Sequence, residues 1–339
     1  MTKTRIPYWD NVKGILISFV VLGHLLQVDI ENGGGTPLSQ SLLCVIYFFH
    51  MPLFCFISGL FSKNTKARKE AGVSDLLVPL CVFQIAWLLI KLVTQHSPKV
   101  LLELLVPQFA LWYLLALYVW RIIVDDIKRI RFAFIFSILL FFAIPFYEGL
   151  NNVFAIQRMT GFFVFFFAGF KVSAKTMEEL AKKIPILVAV IIPLGCFAVC
   201  YYFFSQELVS FTDVFAVLIH GAHITDPPDM LKGVIFYGIA FIGAIVLSLC
   251  LLRIMLCVRD GYLTKIGRDT MPLYMIHGFV VAFGVWIYRR LFVVPQFWDV
   301  IIYFVFAVVI ITIYSSSFFR DRYRSIMNSI QKWLIITVK

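Results

Sequence analysis

RIPYWDNVKGILISFVVLGHLLQV, residues 5–28, is the stretch that decides the fold. It begins with polar residues and continues as an apolar run long enough to cross a membrane as a helix. Eleven positions separate Lys13 from His24, so a helix places both side chains on one face, about 16 Å apart along its axis. Asp10 lies one turn before Lys13 and can pair with it. Ionisable groups within a membrane are costly and usually face a bundle interior or a wet cavity, so these three residues predict an inward-facing functional row.

The composition predicts an integral membrane protein. The chain has 339 residues, of which 61% are hydrophobic and 14% charged, whereas about a quarter of residues are charged in soluble domains. The first apolar stretch is too long for a cleaved signal peptide and lacks a small-residue cleavage site, so we expect it to stay in the membrane. Because no repeat, low-complexity segment or linker divides the sequence, it favours a single domain over residues 1–339.

Apolar windows that are long enough to span about 30 Å recur along the chain. They lie at residues 11–28, 39–61, 73–93, 108–124, 132–147, 157–172, 185–204, 233–252, 271–290 and 297–318. A further apolar stretch at 209–221 is too short to span and is interpreted as re-entrant or interfacial. The sequence therefore predicts an all-α, polytopic transmembrane bundle of about ten helices.

Lysine and arginine are distributed unevenly between alternate connections. Basic connections at residues 63–69, 128–131 and 171–183 alternate with cation-poor ones, such as 29–37 and 205–228. By the positive-inside rule, both termini are then cytoplasmic. Basic cytoplasmic loops account for the net charge of +11, so no nucleic-acid partner is expected.

Polar side chains also interrupt other apolar windows. They are His50 in FFHMPLFCFISGL (48–60), Trp112 and Tyr113 at the start of the fourth window, Arg158 at the start of the sixth, and His277 about two turns into the ninth. Structural roles compete with functional ones here: a histidine can simply hydrogen-bond to a neighbouring helix, and a Trp–Tyr pair can anchor a helix at the interface. Arg158 can extend to the outer surface, and Lys13 can be an ordinary cytoplasmic flank of its span.

Cysteines and loop histidines carry little functional signal. The cysteines mostly fall in apolar runs, where a thiol acts as a small hydrophobe, and disulfides are not expected; they are Cys44, Cys55, Cys81, Cys196, Cys200, Cys250 and Cys257. His96, His220 and His223 lie in outer connections and are interpreted as surface residues. His220 and His223 are three apart, a spacing that can ligate a metal, but no third ligand is evident and no metal is expected.

Four blocks, in this order, resemble the acyltransferase family 3 integral membrane proteins, in particular the fucose 4-O-acetylase-like branch. YWDNVKGILISFVVLGH resembles the family's opening motif, with Lys13 in the basic position, usually arginine, and His24 as the histidine. FFHMPLFCFISG, LWYLLALYVW and IGRDTMPLYMIH resemble the second-span, fourth-span and late motifs. The resemblance covers about residues 5–320.

The resemblance implies O-acyl transfer at the cell membrane, from cytoplasmic acetyl-CoA to a hydroxyl of an envelope carbohydrate or related acceptor. The histidine that matches His24 is the family's essential residue; it can deprotonate the acceptor hydroxyl or carry the acyl group as a nucleophile. Lys13, oriented by Asp10, can neutralise a CoA phosphate or stabilise a thioester oxyanion. Membrane lipid is the other expected partner, and pairing of the chain with itself is left open.

The same resemblance implies further site residues. Acceptor binding is expected of Arg158, His50, Trp112, Tyr113 and His277. Many relatives carry paired arginines just before the third span, whereas AGVSDLLVPL (71–80) has Asp75 there. Because phosphate contacts favour Arg but Lys also serves as a point charge, CoA binding is instead expected of Lys66, Arg68, Lys69 and Ser58.

Two other classes of function stay open at the level of sequence. A transporter or uptake domain can use the same scaffold, since certain racemases of glycopeptide resistance carry a similar membrane module associated with serine uptake. A receptor or scaffold without chemistry is disfavoured, because ionisable residues inside a membrane are costly without a use. Acetyl-CoA binding favours the enzyme, and substrate flux without acetyl consumption favours the transporter.

Overall fold

The computed structural model describes residues 7–147, 153–220, 227–292 and 296–335, and over these ranges the chain is helical with no β-strand. The α-helices are α1 (Pro7–Glu31), α2 (Pro37–Leu60), α3 (Thr65–Glu70), α4 (Val78–Gln95), α5 (Trp112–Ile127), α6 (Ala133–Ala143), α7 (Ile156–Lys171), α8 (Ala174–Lys182), α9 (Ile186–Ser205), α10 (Phe211–Leu218), α11 (Pro227–Met255), α12 (Tyr262–Gly267), α13 (Met271–Leu291), α14 (Gln296–Tyr314) and α15 (Ser317–Leu334). A π-helical turn, Val73–Leu77, leads into α4, and short 3-10 segments occur at Pro98–Leu105, Phe109–Leu111, Ile144–Phe146 and Val153–Ala155.

The all-α membrane architecture is confirmed over the described ranges. Within the described ranges, eight helices are long and apolar enough to cross a membrane, or up to nine if Trp298–Tyr314 and Ser317–Leu334, bent by 61°, form one span. The window at 132–147 contains the short helix α6 with a 3-10 turn behind it, and the count of about ten spans stays a prediction. The stretch at 209–221 gives α10, which at eight residues is too short to span, as expected.

The chain divides into two compact units that alternate along the sequence. The first unit comprises Met1–Phe54, Lys175–Leu218 and Ala240–Tyr323, and the second comprises Cys55–Ala174, Ile219–Ile239 and Arg324–Lys339. Both units are discontinuous in sequence, so no single linker separates them. The prediction of one domain over the whole chain stays a prediction.

In the first unit, α1 packs against α12, α13 and α14. Two glycines permit the backbones of α1 and α12 to touch: a Cβ on Gly14 would lie 2.2 Å from the Leu263 carbonyl oxygen, and one on Gly267 would lie 1.7 Å from the Asp10 carbonyl oxygen. Asn11 adds a side-chain contact, because its Oδ1 accepts a hydrogen bond of 2.6 Å from the Thr264 hydroxyl. The start of α1 is therefore fixed by a segment some 250 residues further along the chain.

In the second unit, α7 packs closely against the last turns of α2. A Cβ on Gly59 would lie 1.9 Å from the Phe166 carbonyl oxygen, and one on Gly169 would lie 1.9 Å from the Phe56 carbonyl oxygen. Trp120 of α5 donates its indole N–H to the Met159 carbonyl at 3.1 Å. Glycine at both positions is therefore required for two helices to meet backbone to backbone.

Candidate active site

His24 and His277 form a direct hydrogen bond in the first unit. The Nε2 atom of His277 lies 3.1 Å from the Nδ1 atom of His24, and the two ring centroids are 5.1 Å apart. His277 is fully buried on α13, whereas His24 on α1 is half-buried. His24 belongs to the opening sequence motif and His277 to the late one. The fold brings these two distant segments into contact.

When both imidazoles are neutral, the hydrogen-bond chain determines which nitrogen of each ring carries the proton. His277 Nδ1 lies 2.6 Å from the carbonyl oxygen of Tyr274, which only accepts, so this nitrogen carries a proton and donates it. The Nε2 atom of a neutral His277 is then an acceptor, and His24 must donate to it from Nδ1–H. The lone pair of His24 therefore resides on Nε2, which is the arrangement of an imidazole oriented to act as a base or a nucleophile.

Tyr47 and His50 of α2 lie beside this pair. The ring of Tyr47 is 6.3 Å from that of His24, edge to face, and 4.5 Å from that of His50. The Tyr47 hydroxyl donates to Gln27 Oε1 at 2.5 Å, which ties α2 to α1. His50 is buried, and its Nδ1 lies 2.9 Å from the Ile46 carbonyl of its own helix. The structure thus places His50 in the same neighbourhood as His24, with the Tyr47 ring contacting both.

Asp10 and Lys13 pair as the sequence predicts. The Lys13 ammonium lies 2.7 Å from an Asp10 carboxylate oxygen; the Asp10 side chain is 3% exposed and that of Lys13 26% exposed. Both residues belong to α1, as does His24, so the row stands on one helix. At 1.5 Å per residue Lys13 is about 16 Å from His24 along the axis, too far for both to contact one reacting atom.

Ser58, Trp112 and Tyr113 belong to the second unit. The hydroxyls of Ser58 and Tyr113 hydrogen-bond to each other. The Trp112 ring packs on Phe162 with centroids 5.2 Å apart. Trp112 is 7% exposed and Tyr113 6% exposed, so neither stands at the surface as an interfacial anchor does.

The three cations expected to bind CoA lie on the short helix α3, which has no buried residue. Lys66 is exposed, whereas Arg68 and Lys69 are half-buried; Lys69 lies 3.5 Å from Asp125 of α5. Arg121 was missed by sequence reasoning: it is half-buried on α5 and its Nε donates to the Ser62 hydroxyl at 3.3 Å. The available signal was an arginine inside the apolar run LWYLLALYVWRIIV.

His220 is not a surface residue, which corrects the sequence interpretation. It is 3% exposed and lies among the rings of Phe141, Phe162 and Tyr237, with centroids 4.4, 5.0 and 5.1 Å away. Burial, with the nearby Arg158 charge, lowers the pKa of the His220 imidazole to about 3. Gly161 leaves room for this ring, since a Cβ there would lie 2.6 Å from its Nδ1.

The structure also shows the exposure of Arg158 and His96. Arg158 is half-buried in the first turn of α7 rather than fully extended into solvent, and His96 is exposed as expected. His223 lies outside the described residues. Within the described part of the chain no group of three or more His, Cys, Asp or Glu side chains is arranged to hold a metal ion.

A second group of polar residues in the first unit was also missed. Asp29, Tyr288, Arg289, Asp299 and Tyr303, here called the Arg289 network, are joined by hydrogen bonds across α1, α13 and α14. Asp29 stands at the end of the first window and Arg289 at the end of the ninth, so both resemble ordinary helix flanks in the sequence.

Comparison with known proteins identifies the class of the chain. A family model described as an acyltransferase domain matches residues 6–318. Two curated proteins, each named nodulation protein NolL, match short segments: one from Mesorhizobium japonicum is 39% identical over 88 residues, and one from Sinorhizobium fredii is 42% identical over 81 residues. These segments cover 25% and 23% of this chain, and 24% and 22% of the two relatives. The chain is thus matched to about a quarter of their length, and no solved structure matches it.

Proposed function

Since the chain belongs to this acyltransferase family and is a multi-pass membrane acyltransferase, we propose that it moves an acetyl group from cytoplasmic acetyl-CoA to a hydroxyl of a cell-envelope carbohydrate or related acceptor. The family model supports the acyl transfer. The acetyl donor, the acceptor class and the fucose 4-O-acetylase-like branch are the parts that we propose, and they rest on the four sequence blocks that resemble that branch.

The hydrogen-bonded chain from Tyr274 through His277 to His24 carries the proposal. With Nδ1–H of His24 held by His277, the Nε2 lone pair of His24 can accept the proton of an acceptor hydroxyl. The resulting oxygen nucleophile attacks the thioester carbonyl, a C–O bond forms and the C–S bond breaks. The proton on His24 then passes to the departing CoA thiolate, so the reaction consumes no other reagent.

The same orientation supports covalent transfer. Nε2 of His24 can attack the thioester itself and carry the acyl group as an acyl-imidazole before the hydroxyl accepts it. Detection of acetylated His24 in enzyme that is given acetyl-CoA but no acceptor, and is rapidly denatured near neutral pH, where an acyl-imidazole survives longer than in acid, distinguishes this route from direct base catalysis.

Lys13 and Asp10 are assigned to the donor. Because Lys13 is about 16 Å from His24 along α1, its charge fits a CoA phosphate better than an oxyanion at the reacting carbonyl. Asp10 holds the ammonium in place at 2.7 Å. In the second unit, Lys66, Arg68 and Lys69 are proposed to contact CoA phosphates, joined by Arg121 and, through its hydroxyl, by Ser58.

Acceptor binding is assigned to the aromatic and polar residues named from the motifs. His50 belongs to the first unit, and Trp112, Tyr113 and Arg158 to the second. In the second unit, the buried rings of Trp112 and Tyr113 with the Ser58 hydroxyl are the kind of lining that small-molecule sites have; His50 is assigned from its motif alone. His277 acts on the acceptor indirectly, because its ring nitrogens are engaged by Tyr274 and His24.

The test compares His24→Ala with His96→Ala, a matched change at an exposed histidine. Membranes that carry each variant at equal folded level receive labelled acetyl-CoA, and acetyl esters on envelope glycans are measured by mass spectrometry. We expect transfer to be lost with His24→Ala and retained with His96→Ala. Transfer at the wild-type rate by His24→Ala would exclude His24 both as base and as carrier.

A further inference from the structure

The Arg289 network consists of two carboxylates bridged by one guanidinium. Arg289 Nε donates to Asp29 Oδ1 at 2.6 Å, and its terminal nitrogen lies 3.1 Å from Asp299 Oδ2. The same terminal nitrogen also contacts Asp29. Two tyrosines complete the pairing: Tyr303 donates to Asp29 at 2.5 Å and Tyr288 donates to Asp299 at 2.7 Å. The network therefore joins α1, α13 and α14 through charge-assisted hydrogen bonds, which are the stronger kind.

Both carboxylates of the network are buried, and a buried charge is costly unless it is paired. Asp29 is 1% exposed and Asp299 3% exposed. Asp29 stands in a helix long and apolar enough to cross a membrane, and Asp299 stands in α14, which meets that description only together with α15. Charged groups in such helices are rare, and a buried ion pair is weak evidence of a role in stability, because apolar side chains of similar volume often stabilise as well. The charged residues of the network therefore need a role that apolar side chains would not perform. The best-attested role of buried charged groups is to fix the register between helices.

The helices that the network joins are those that carry the histidine pair. Asp29 follows His24 by five residues on α1, about 7.5 Å along the axis, and Arg289 follows His277 by twelve residues on α13, about 18 Å. At the other end the same two segments are joined where Gly267 touches Asp10. The histidine contact thus lies between two fixed points, and both points hold α1 in register with the α12–α13 segment.

We infer that the Arg289 network is a positioning device that sets the axial register of α1 against α13, and so the contact between His24 Nδ1 and His277 Nε2. This inference rests on the proposed function for its kinetic consequence, although the contact itself is measurable without turnover. Displacing the guanidinium releases α13 from α1 at one end. A shift of about 1 Å in a catalytic group can reduce a rate by about 100-fold.

Gly34 offers a way to disturb the network without removing a charge. Its ideal Cβ would lie 2.1 Å from the terminal nitrogen of Arg289 and 2.4 Å from Asp29 Oδ2. Both atoms are ends of side chains, so Gly34→Ala pushes the pair apart while the backbone stays in place. Gly284→Ala on α13 is the matched control, because the nearest atom to its Cβ is an aromatic carbon at 3.9 Å.

A second pair of variants tests the charge. Arg289→Ala removes the bridge, and Arg290→Ala removes the next arginine, which is exposed and contacts the Trp286 ring at 4.8 Å. Each variant is placed in nanodiscs with histidine labelled by ¹⁵N. The resonances of His24 and His277 are assigned by difference from the single-histidine variants. The turnover number per folded molecule and the KM for acetyl-CoA are measured on the same samples.

We expect Arg289→Ala and Gly34→Ala to lose the ¹⁵N signature of the His24–His277 hydrogen bond and about 100-fold in kcat, with KM for acetyl-CoA unchanged. Arg289→Lys, which keeps the charge, should recover part of the kcat. Both control variants should match the wild type. If Arg289→Ala does not fold, Gly34→Ala decides the matter.

Two results would overturn the inference. One is an intact hydrogen-bond signature in Gly34→Ala, and the other is an unchanged kcat per folded molecule with only the folded fraction reduced. Should the wild type transfer no acetyl group at all, the proposed function fails, while the ¹⁵N signature still tests whether the network positions the histidine pair.

Discussion

Replacing His277 tests the hydrogen-bond chain most directly, because this side chain is fully buried and contacts His24. His277→Phe keeps a ring of similar size and removes both nitrogens. His24 then loses the acceptor for its Nδ1–H, and the Tyr274 carbonyl loses its donor. Removing the partner that orients a metal-bound histidine typically costs about 10–100-fold, and the same kind of hydrogen bond orients His24 here. We therefore expect kcat to fall by about that factor, or about 1.4–2.7 kcal/mol of transition-state stabilisation, with KM for acetyl-CoA unchanged.

His277→Gln is the informative companion. Its Oε1 can take the place of Nε2 and accept from His24, so we expect it to recover a substantial part of the kcat lost in His277→Phe. Steady-state acetyl transfer by purified enzyme in nanodiscs supplies both constants, and thermal unfolding monitors the folded fraction. In a His24→Ala background the His277→Phe change should have no additional effect, since residues that act as a unit are not additive. Full kcat in His277→Phe would refute the orientation of His24 by His277.

Three further predictions concern other parts of the molecule. Gly59→Ala, whose Cβ would lie 1.9 Å from a backbone carbonyl of α7, should lower stability in detergent by at least about 1–3 kcal/mol, while Gly195→Ala, with open space around it, should not. Lys13→Ala should raise the KM for acetyl-CoA, and an unchanged KM would remove Lys13 from the donor site. The double variant with Asp10→Asn controls for the loss of the lysine beside the Asp10 carboxylate, whose side chain is 3% exposed. Burial lowers the pKa of His220 from 6.5 to about 3, so the unfolded chain takes up a proton in that interval that the folded protein does not. Stability should therefore fall as pH falls from 6.5 toward 3, by up to about 1.4 kcal/mol per unit, and His220→Phe should reduce that slope in thermal unfolding measured against pH.

Sequence patterns predict how residues of one helix are placed relative to each other. The spacing of Asp10, Lys13 and His24 is a property of α1 alone, and the Asp10–Lys13 pair forms as the spacing predicts. The apolar windows were equally local, and they identified the membrane class and most of the spans. Hydropathy does not show where a helix ends: the window at 132–147 contains α6, which ends after eleven residues, and the 3-10 turn Ile144–Phe146.

Sequence patterns do not predict contacts between segments that lie far apart in the chain. The sequence named His24 and His277 separately but contained no signal that they touch, since periodicity describes one element at a time. Asp29 and Arg289 resembled solvated flanks because each stands at a window's end, and only the packing of α1 against α13 makes them partners. The same limit applies to His220: the sequence places it in an outer connection, where polar residues are usually exposed, and the fold packs it among the rings of Phe141, Phe162 and Tyr237.

The contact between His24 and His277 also has a consequence for biosynthesis. The two residues are 253 positions apart, and the segment that holds the start of α1 lies at residues 258–267. α1 is translated well before this segment, so the contacts that Asn11 and Gly14 make with residues 258–267 form only after those residues have been made. A nascent chain that has not reached residue 277 therefore lacks the paired imidazoles, whatever the state of its first helices.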